Sequence, residues 1–147
     1  MSVCVFFGHR SCHSLDKQVL CGAIENMIDR GVDVFYVGNQ GNFDGTVYSC
    51  LKALRKEYPH IQIGVVLAYL PAEKAEFEDL SDTVFPEGME DGPPKFAIDR
   101  RNRWMCRQAD YAICYVGHTW GGAYKYFAIA KRLGVEIINL HPSTTKN

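Results

Sequence analysis

Four short stretches of this chain bring together side chains with chemistry to offer. Gly8-His9-Arg10 sets an imidazole and a guanidinium beside a glycine, and Gly38-Asn39-Gln40-Gly41-Asn42-Phe43-Asp44 ends on a carboxylate. Arg101-Asn102 pairs a guanidinium with an amide, and Gly117-His118-Thr119-Trp120-Gly121-Gly122 mixes glycines with two ring systems just before Tyr124. A guanidinium is a planar fork of donors that matches phosphate; with an imidazole and backbone amides beside it, it suits a phosphate or a purine edge. Arg10 fits that part, or a salt bridge to Asp44 across a crevice. Asp44 also has two readings. Near a helix start it caps backbone N–H groups; pointing inward it suits a pair of ribose hydroxyls or, at a reactive site, the role of general base or nucleophile. Asn102 sits inside an apolar helical pattern, where a buried amide needs partners. Tyr124 suits a stack on a base or a place in the core. His118, Thr119 and Trp120 stand where a pocket wall would be, and Trp120 also suits a plain hydrophobic plug.

The elements that must hold these residues follow from the hydrophobic pattern. Tyr111 to Val116 is short and continuously apolar, as expected of a parallel strand covered on both faces. The glycines follow, and apolar residues return with helical spacing at Phe127, Ile129, Ala130 and Leu133. A strand, a glycine turn and a helix in that order leave backbone N–H groups unpaired at a helix N-terminus, where the aligned peptide dipoles favour an anion. The same glycines also permit tight packing of helix on strand.

Earlier segments repeat the arrangement. Val3 to Phe7 predicts a first strand ending at Gly8-His9-Arg10. A helix follows, with Ser14 as its N-cap, Leu15, Val19, Leu20, Ala23, Ile24, Met27 and Ile28 on its apolar face, and Gly31 at its end. Val32 to Val37 predicts a second strand, and the Asp44 turn opens a helix running to about Tyr58, where Pro59 stops it. Ile61 to Leu70 predicts the third strand. From Lys95 a third helix carries Phe96, Ile98 and Met105, with Arg100, Arg101, Arg103 and Arg107 around it. Tyr111 to Val116 is the fourth strand and Val135 to Leu140 the fifth, Gly134 closing the helix between them. Residues 71–94 form an acidic insertion punctuated by Gly and Pro, with room for one short helix near Glu73 to Leu80. Insertions of that length are lids or binding loops, or plain surface elaborations. Residues 141–147 form a polar tail.

Strands alternating with helices predict an α/β fold. The expectation is a single Rossmann-like, doubly wound domain over residues 1–147, with a five-stranded parallel sheet in the order 3-2-1-4-5 and helices on both faces. Ligands in such sheets sit at the carboxyl ends of the strands where the order reverses. The three glycine-bearing turns converge there.

Composition narrows the classes. A chain of 147 residues buries a sizeable core without metal or disulfide staples, and 47% hydrophobic with 22% charged residues is ordinary for a globular protein. A formal net charge of -1 argues against a broad basic face for nucleic acid. No apolar run reaches membrane-spanning length, and Val3 to Phe7 is too short for a signal peptide. A cytoplasmic protein with its six cysteines reduced is therefore expected. His9, Cys12 and His13 are the one local cluster of metal-ligand types, without a Cys-x-x-Cys companion, so neither metal nor cofactor is expected.

Taken together, Phe6-Phe7-Gly8-His9-Arg10, Gly38 to Asp44, Arg101-Asn102-Arg103-Trp104-Met105 and Gly121-Gly122-Ala123-Tyr124 resemble the SLOG superfamily. This is a Rossmann-like group that includes the DNA-processing protein DprA, the Lonely Guy phosphoribohydrolases and the YpsA-like proteins. The likeness is above all to the YpsA-like branch and spans nearly the whole chain, the tail excepted. It implies a nucleotide or nucleotide-derived ligand. Lonely Guy enzymes cleave the bond between base and ribose 5'-monophosphate, and their glycine-rich elbow is followed by a threonine and a catalytic glutamate. Here Gly121-Gly122 leads into Ala123-Tyr124-Lys125-Tyr126-Phe127, with no acid, which counts against the same hydrolysis.

The expected function is binding, for sensing or sequestering, of an AMP-like or ADP-ribose-like molecule. Its phosphate would lie on the Gly117 to Gly122 elbow and its ribose near Asp44. The expected contacts are Gly8, His9 and Arg10; Gly38, Asn39, Gly41 and Asp44; Arg101 and Asn102; and Gly117, His118, Thr119, Gly121, Gly122 and Tyr124. The rival is an N-glycosidase or phosphoribohydrolase-type enzyme acting on a nucleoside 5'-monophosphate through Asp44. A third reading, single-stranded nucleic-acid binding of the DprA type, is least favoured by the net charge. The expected partner is thus a small-molecule nucleotide, not a membrane, and a homo-oligomer is in keeping with sheets of this kind.

Overall fold

Side chains along the central strands alternate between two cores. The computed structural model describes residues 1–9, 14–69 and 82–142. In strand β1 (Val3–Gly8), Cys4 and Phe6 join one core while Val3, Val5 and Phe7 join the other. Strand β5 (Tyr111–Tyr115) divides likewise, with Ile113 and Tyr115 on the first side and Ala112 and Cys114 on the second. Burial on both faces is why these runs are continuously apolar.

Helices α1 (Lys17–Asp29) and α2 (Gly41–Glu57) cover the first side through Leu20, Ile24 and Met27 and through Phe43, Val47 and Leu51. Helices α3 (Ala97–Gln108) and α4 (Gly122–Arg132) cover the second through Met105, Tyr126 and Ala130. Each large apolar side chain taken fully out of water contributes roughly 1.5–3 kcal/mol, so periodicity on the inward faces decides which helix lies on which side.

The remaining strands are β2 (Val34–Val37), β3 (Gln62–Val66), β4 (Thr83–Val84) and β6 (Glu136–Asn139), and the sheet runs β4-β3-β2-β1-β5-β6. Every neighbouring pair is parallel. The α/β class and the order of the five expected strands are observed, but the sheet has six strands rather than five. The addition is β4, inside the insertion read from sequence as irregular. Two residues are too few to show a period of their own. What fixes them is Asp82, only 6% exposed, which accepts the guanidinium fork of Arg55 at 2.7 and 3.1 Å and the hydroxyl of Tyr48 at 2.7 Å. The bonded guanidinium holds this carboxyl below its ordinary range. The short helix expected near Glu73 to Leu80 lies outside the described residues.

Helix α1 also begins later than expected. Its N-cap is Asp16, whose carboxylate accepts the Gln18 N–H at 2.8 Å, and not Ser14, whose hydroxyl pairs with that of Tyr115 at 2.6 Å. Val19, expected on the apolar face, is exposed. No helix among the described residues is long and apolar enough to cross a membrane. Strand β1 lies between β2 and β5, so the order reverses at β1 and the carboxyl ends of all three open on the same side.

Candidate functional site

At those carboxyl ends lies a cavity of about 460 Å³, within the size range of small-molecule sites. Gly8 and His9 border it at the end of β1, Gly38 and Gln40 between β2 and α2, Asp44 in the first turn of α2, and Ile98, Arg101 and Asn102 from α3. His118, Trp120 and Gly121 between β5 and α4, with Gly122 and Ala123 at the start of α4, form another wall, above Phe6, Phe7 and Tyr126.

Arg101 is the unusual residue of this cavity. It is 2% exposed, yet among the described residues its guanidinium donates only to neutral oxygens: Nε to Asn102 Oδ1 at 2.7 Å, and Nη1 to Asn39 Oδ1 at 3.2 Å and the Val66 carbonyl at 3.1 Å. Among the described residues no carboxylate stands within the 4.0 Å of an ion pair with it. Burial pulls its pKa down, with the charge of Asp44 working the other way. A guanidinium nevertheless stays protonated in a protein, so the cavity floor carries a positive charge. Gly38 makes the arrangement possible. A Cβ there would stand 2.9 Å from both Arg101 Nη1 and Asp44 Oδ2, so only a residue without a side chain lets both groups close over the end of β2.

Asp44 is cap and cavity wall at once. Its Oδ2 accepts the N–H of Gln40, the N-cap residue of α2, at 2.9 Å. It is also the only carboxylate among the described lining residues. The first turn of α2 sits hard against β1, because a Cβ on Gly8 would run into the ring of Phe43.

The turn before α4 is held from two sides. The Gly117 N–H donates to Nε2 of His9 at 2.9 Å. The Asn139 amide then takes over from the ladder where β5 ends, accepting the Val116 N–H at 3.1 Å and donating to the Val116 carbonyl at 2.9 Å. Gly121, the N-cap of α4, has φ 88°, a left-handed conformation that favours glycine, and no side chain caps the helix. Its first-turn N–H groups therefore face the cavity without intrahelical partners.

Three rings stack beside them. His9 lies on His118 with centroids 3.9 Å apart, and His118 lies on Trp120 at 3.7 Å and 11°. Trp120 is 69% exposed, so it is not the buried plug that its type suggested. Burial first, then the positive fields of His118 and His141, hold the pKa of His9 below its ordinary value. Since Nε2 accepts a bond, the hydrogen-bond pattern assigns the proton of the neutral ring to Nδ1.

Of the expected contacts, Gly8, His9, Gly38, Asp44, Arg101, Asn102, His118, Gly121 and Gly122 are brought together around the cavity. Asn39 and Gly117 stand behind it, bonded to Arg101 and His9. Gly41 in the first turn of α2 and the exposed Thr119 are not part of its lining. Neither is Tyr124, whose ring stacks on Phe127 and packs against the second core, the structural one of its two readings. Arg100 turns away to the carbonyls of Met89 and Pro93. Arg10, Cys12 and His13 lie outside the described residues. Among the described residues no group of three or more His, Cys, Asp or Glu is placed to hold a metal ion.

Sequence reasoning missed several residues of the site. Gln40 and Tyr126 line the cavity, and Asn139 positions its wall. Tyr126 donates to Asp99 at 2.7 Å; burial and this bond push its phenol up to about 12. The spacing of Asp99 and Arg103, one helical turn apart, is the signal that could have pointed to this corner. Compared with models of known protein families and with curated proteins, the chain matches none of them.

Proposed function

We propose that the chain binds an anionic, nucleotide-like small molecule at the carboxyl ends of β1, β2 and β5. The observation that carries this reading is Arg101. A buried charge is costly unless paired, and this one ends on neutral oxygens at the floor of a cavity. A phosphate or comparable anion entering there gains a charge-assisted bond and completes the set. The uncapped first turn of α4 supplies further N–H donors and the positive end of its dipole. Asp44 would take ribose hydroxyls, and the ring stack ending on Trp120 offers a flat face to a base.

One further reading has an observation in its favour. Asp44 is the only carboxylate among the described lining residues, so glycosidic hydrolysis, if it occurs, would run through it.

The test is a melting-temperature screen of the intact chain with AMP, ADP, ATP, NAD, ADP-ribose, cyclic dinucleotides, ribose 5-phosphate and inorganic phosphate. A ligand at 100 times its dissociation constant stabilises by about 2.7 kcal/mol, a shift of several degrees. A shift with one class, lost in Arg101→Lys, supports the site; no shift with any compound rejects it. Free base released from the ligand, and not by Asp44→Asn, would turn the reading to hydrolysis.

A further inference from the structure

Away from the cavity, α1 and α2 carry a second chemical feature where they pack together. Sγ of Cys21 in α1 lies 2.8 Å from Sγ of Cys50 in α2. We infer that Cys21 and Cys50 form a thiol–disulfide exchange site, at which a small-molecule disulfide oxidises the pair and links the two helices. The separation is longer than a covalent bond of about 2.05 Å and far shorter than ordinary packing of two side chains, so closure needs only a small movement. It also disfavours a metal ion shared by the pair. With metal–sulfur bonds of about 2.3 Å, sulfurs this close would force an angle much more acute than tetrahedral.

The two thiols differ in ways that give the reaction an order. Cys50 is fully buried and Cys21 half-buried, so an external disulfide reaches Cys21 first. Lys17, one turn before Cys21, donates its ammonium to Ser49 Oγ at 3.3 Å, and so places a cation beside the pair. Burial, and then the bond with Cys21, push the Cys50 thiol up to about 12, with the Lys17 charge opposing. That suits Cys50 to resolve a bond already formed at Cys21 more than to start the exchange. The other described cysteines, Cys4, Cys106 and Cys114, are buried without a neighbouring sulfur in hydrogen-bond contact.

The chemistry balances with the oxidant alone. The Cys21 thiolate attacks one sulfur of the external disulfide, forming a mixed disulfide and expelling a thiolate. The Cys50 sulfur then gives up its proton and attacks the Cys21 sulfur, expelling the second thiolate. The two protons leave on the two thiols released, and the protein loses two hydrogens while the external disulfide is reduced.

The experiment treats the 147-residue chain with oxidised glutathione, blocks remaining thiols by alkylation, and reads intact mass and the peptide map. The expected product is two hydrogens lighter, contains a Cys21–Cys50 cross-linked peptide, reverts with dithiothreitol, and melts on the order of 10 °C higher because the unfolded chain is constrained. Cys50→Ser should stop at the glutathione adduct on Cys21, and Cys21→Ser should leave Cys50 unmodified. A persistent adduct on Cys21 in the unsubstituted protein, a link to any other cysteine, or both thiols alkylated after oxidation would each overturn the assignment. None of these readouts depends on the ligand of the cavity.

Discussion

The backbone amide of Gly117 donates to Nε2 of His9 across 2.9 Å, tying the end of β1 to the turn that opens α4. The bond exists only while Nε2 is unprotonated. Its pKa is already held down, first by burial and then by His118 and His141. The unfolded chain therefore binds a proton at His9, at the ordinary value of about 6.5, that the folded chain resists. This contribution to stability is fully present above that value and is lost as pH falls through it. The melting temperature should decline between about pH 7 and 5, and His9→Gln, whose amide oxygen accepts without titrating, should flatten that decline. An unchanged slope in the variant would assign the decline to other groups.

Gly38 should tolerate alanine in its backbone but not in its space. Its φ lies outside the left-handed region, yet a Cβ would stand 2.9 Å from both Arg101 Nη1 and Asp44 Oδ2. Those are terminal atoms of side chains, so they shift and the fold survives, at a cost of about 1–3 kcal/mol. Gly38→Ala should therefore melt lower, keep its circular dichroism, and lose whatever ligand shift the native protein shows. Retained binding would mean that the placement of Arg101 over Gly38 does not matter to the ligand.

These relationships mark the limit of what the chain reveals when read along its length. Apolar runs such as Val3 to Phe7 and Tyr111 to Val116 announce buried parallel strands because both faces are covered, and the glycines at 8, 38 and 117 announce where strands end. Tyr111 to Val116 and Val135 to Leu140 are enough to place strands near their observed positions. By contrast, β4 is fixed by Asp82 meeting Arg55 and Tyr48, a contact between distant segments with no local pattern. Ser14 and Asp16 are both acceptable caps, and only the path of the chain selects between them. Tyr124 and Tyr126 are alike by type, and the rotation of α4 alone turns the second towards the cavity and the first onto Phe127.

Asp99 ties α3 to α4 under the cavity wall. It accepts from the Tyr126 hydroxyl at 2.7 Å, Lys125 Nζ at 2.9 Å and Arg103 Nε at 2.9 Å. Burial works against its ionised form, but these three donors outweigh it and hold the carboxyl at about 2. The contribution is present above the ordinary carboxyl value of about 3.9 and disappears as pH falls from there towards 2. Asp99→Asn should lower stability by about 1 kcal/mol at neutral pH, the two cations being half exposed, and the difference from the native protein should vanish in strong acid. Urea denaturation at several pH values measures both. A constant difference across that range would contradict the linkage.

Asn139 acts as a piece of backbone made from a side chain. Its Cα pairs in register with Cys114, but its amide reaches Val116, accepting from the N–H and donating to the carbonyl, and its Oδ1 also accepts from the His141 N–H at 3.2 Å. Alanine would leave the Val116 N–H and carbonyl without these partners in a partly buried position, which costs about 1–3 kcal/mol. Aspartate keeps the acceptor and loses the donor, so Asn139→Asp should fall between Asn139→Ala and the native protein in melting temperature. The Val116 and Gly117 amides should exchange hydrogen faster in Asn139→Ala, because the turn before α4 then loses the Asn139 amide and keeps the His9 bond. If exchange there is unchanged, the His9 bond suffices and Asn139 contributes only to the edge of the sheet.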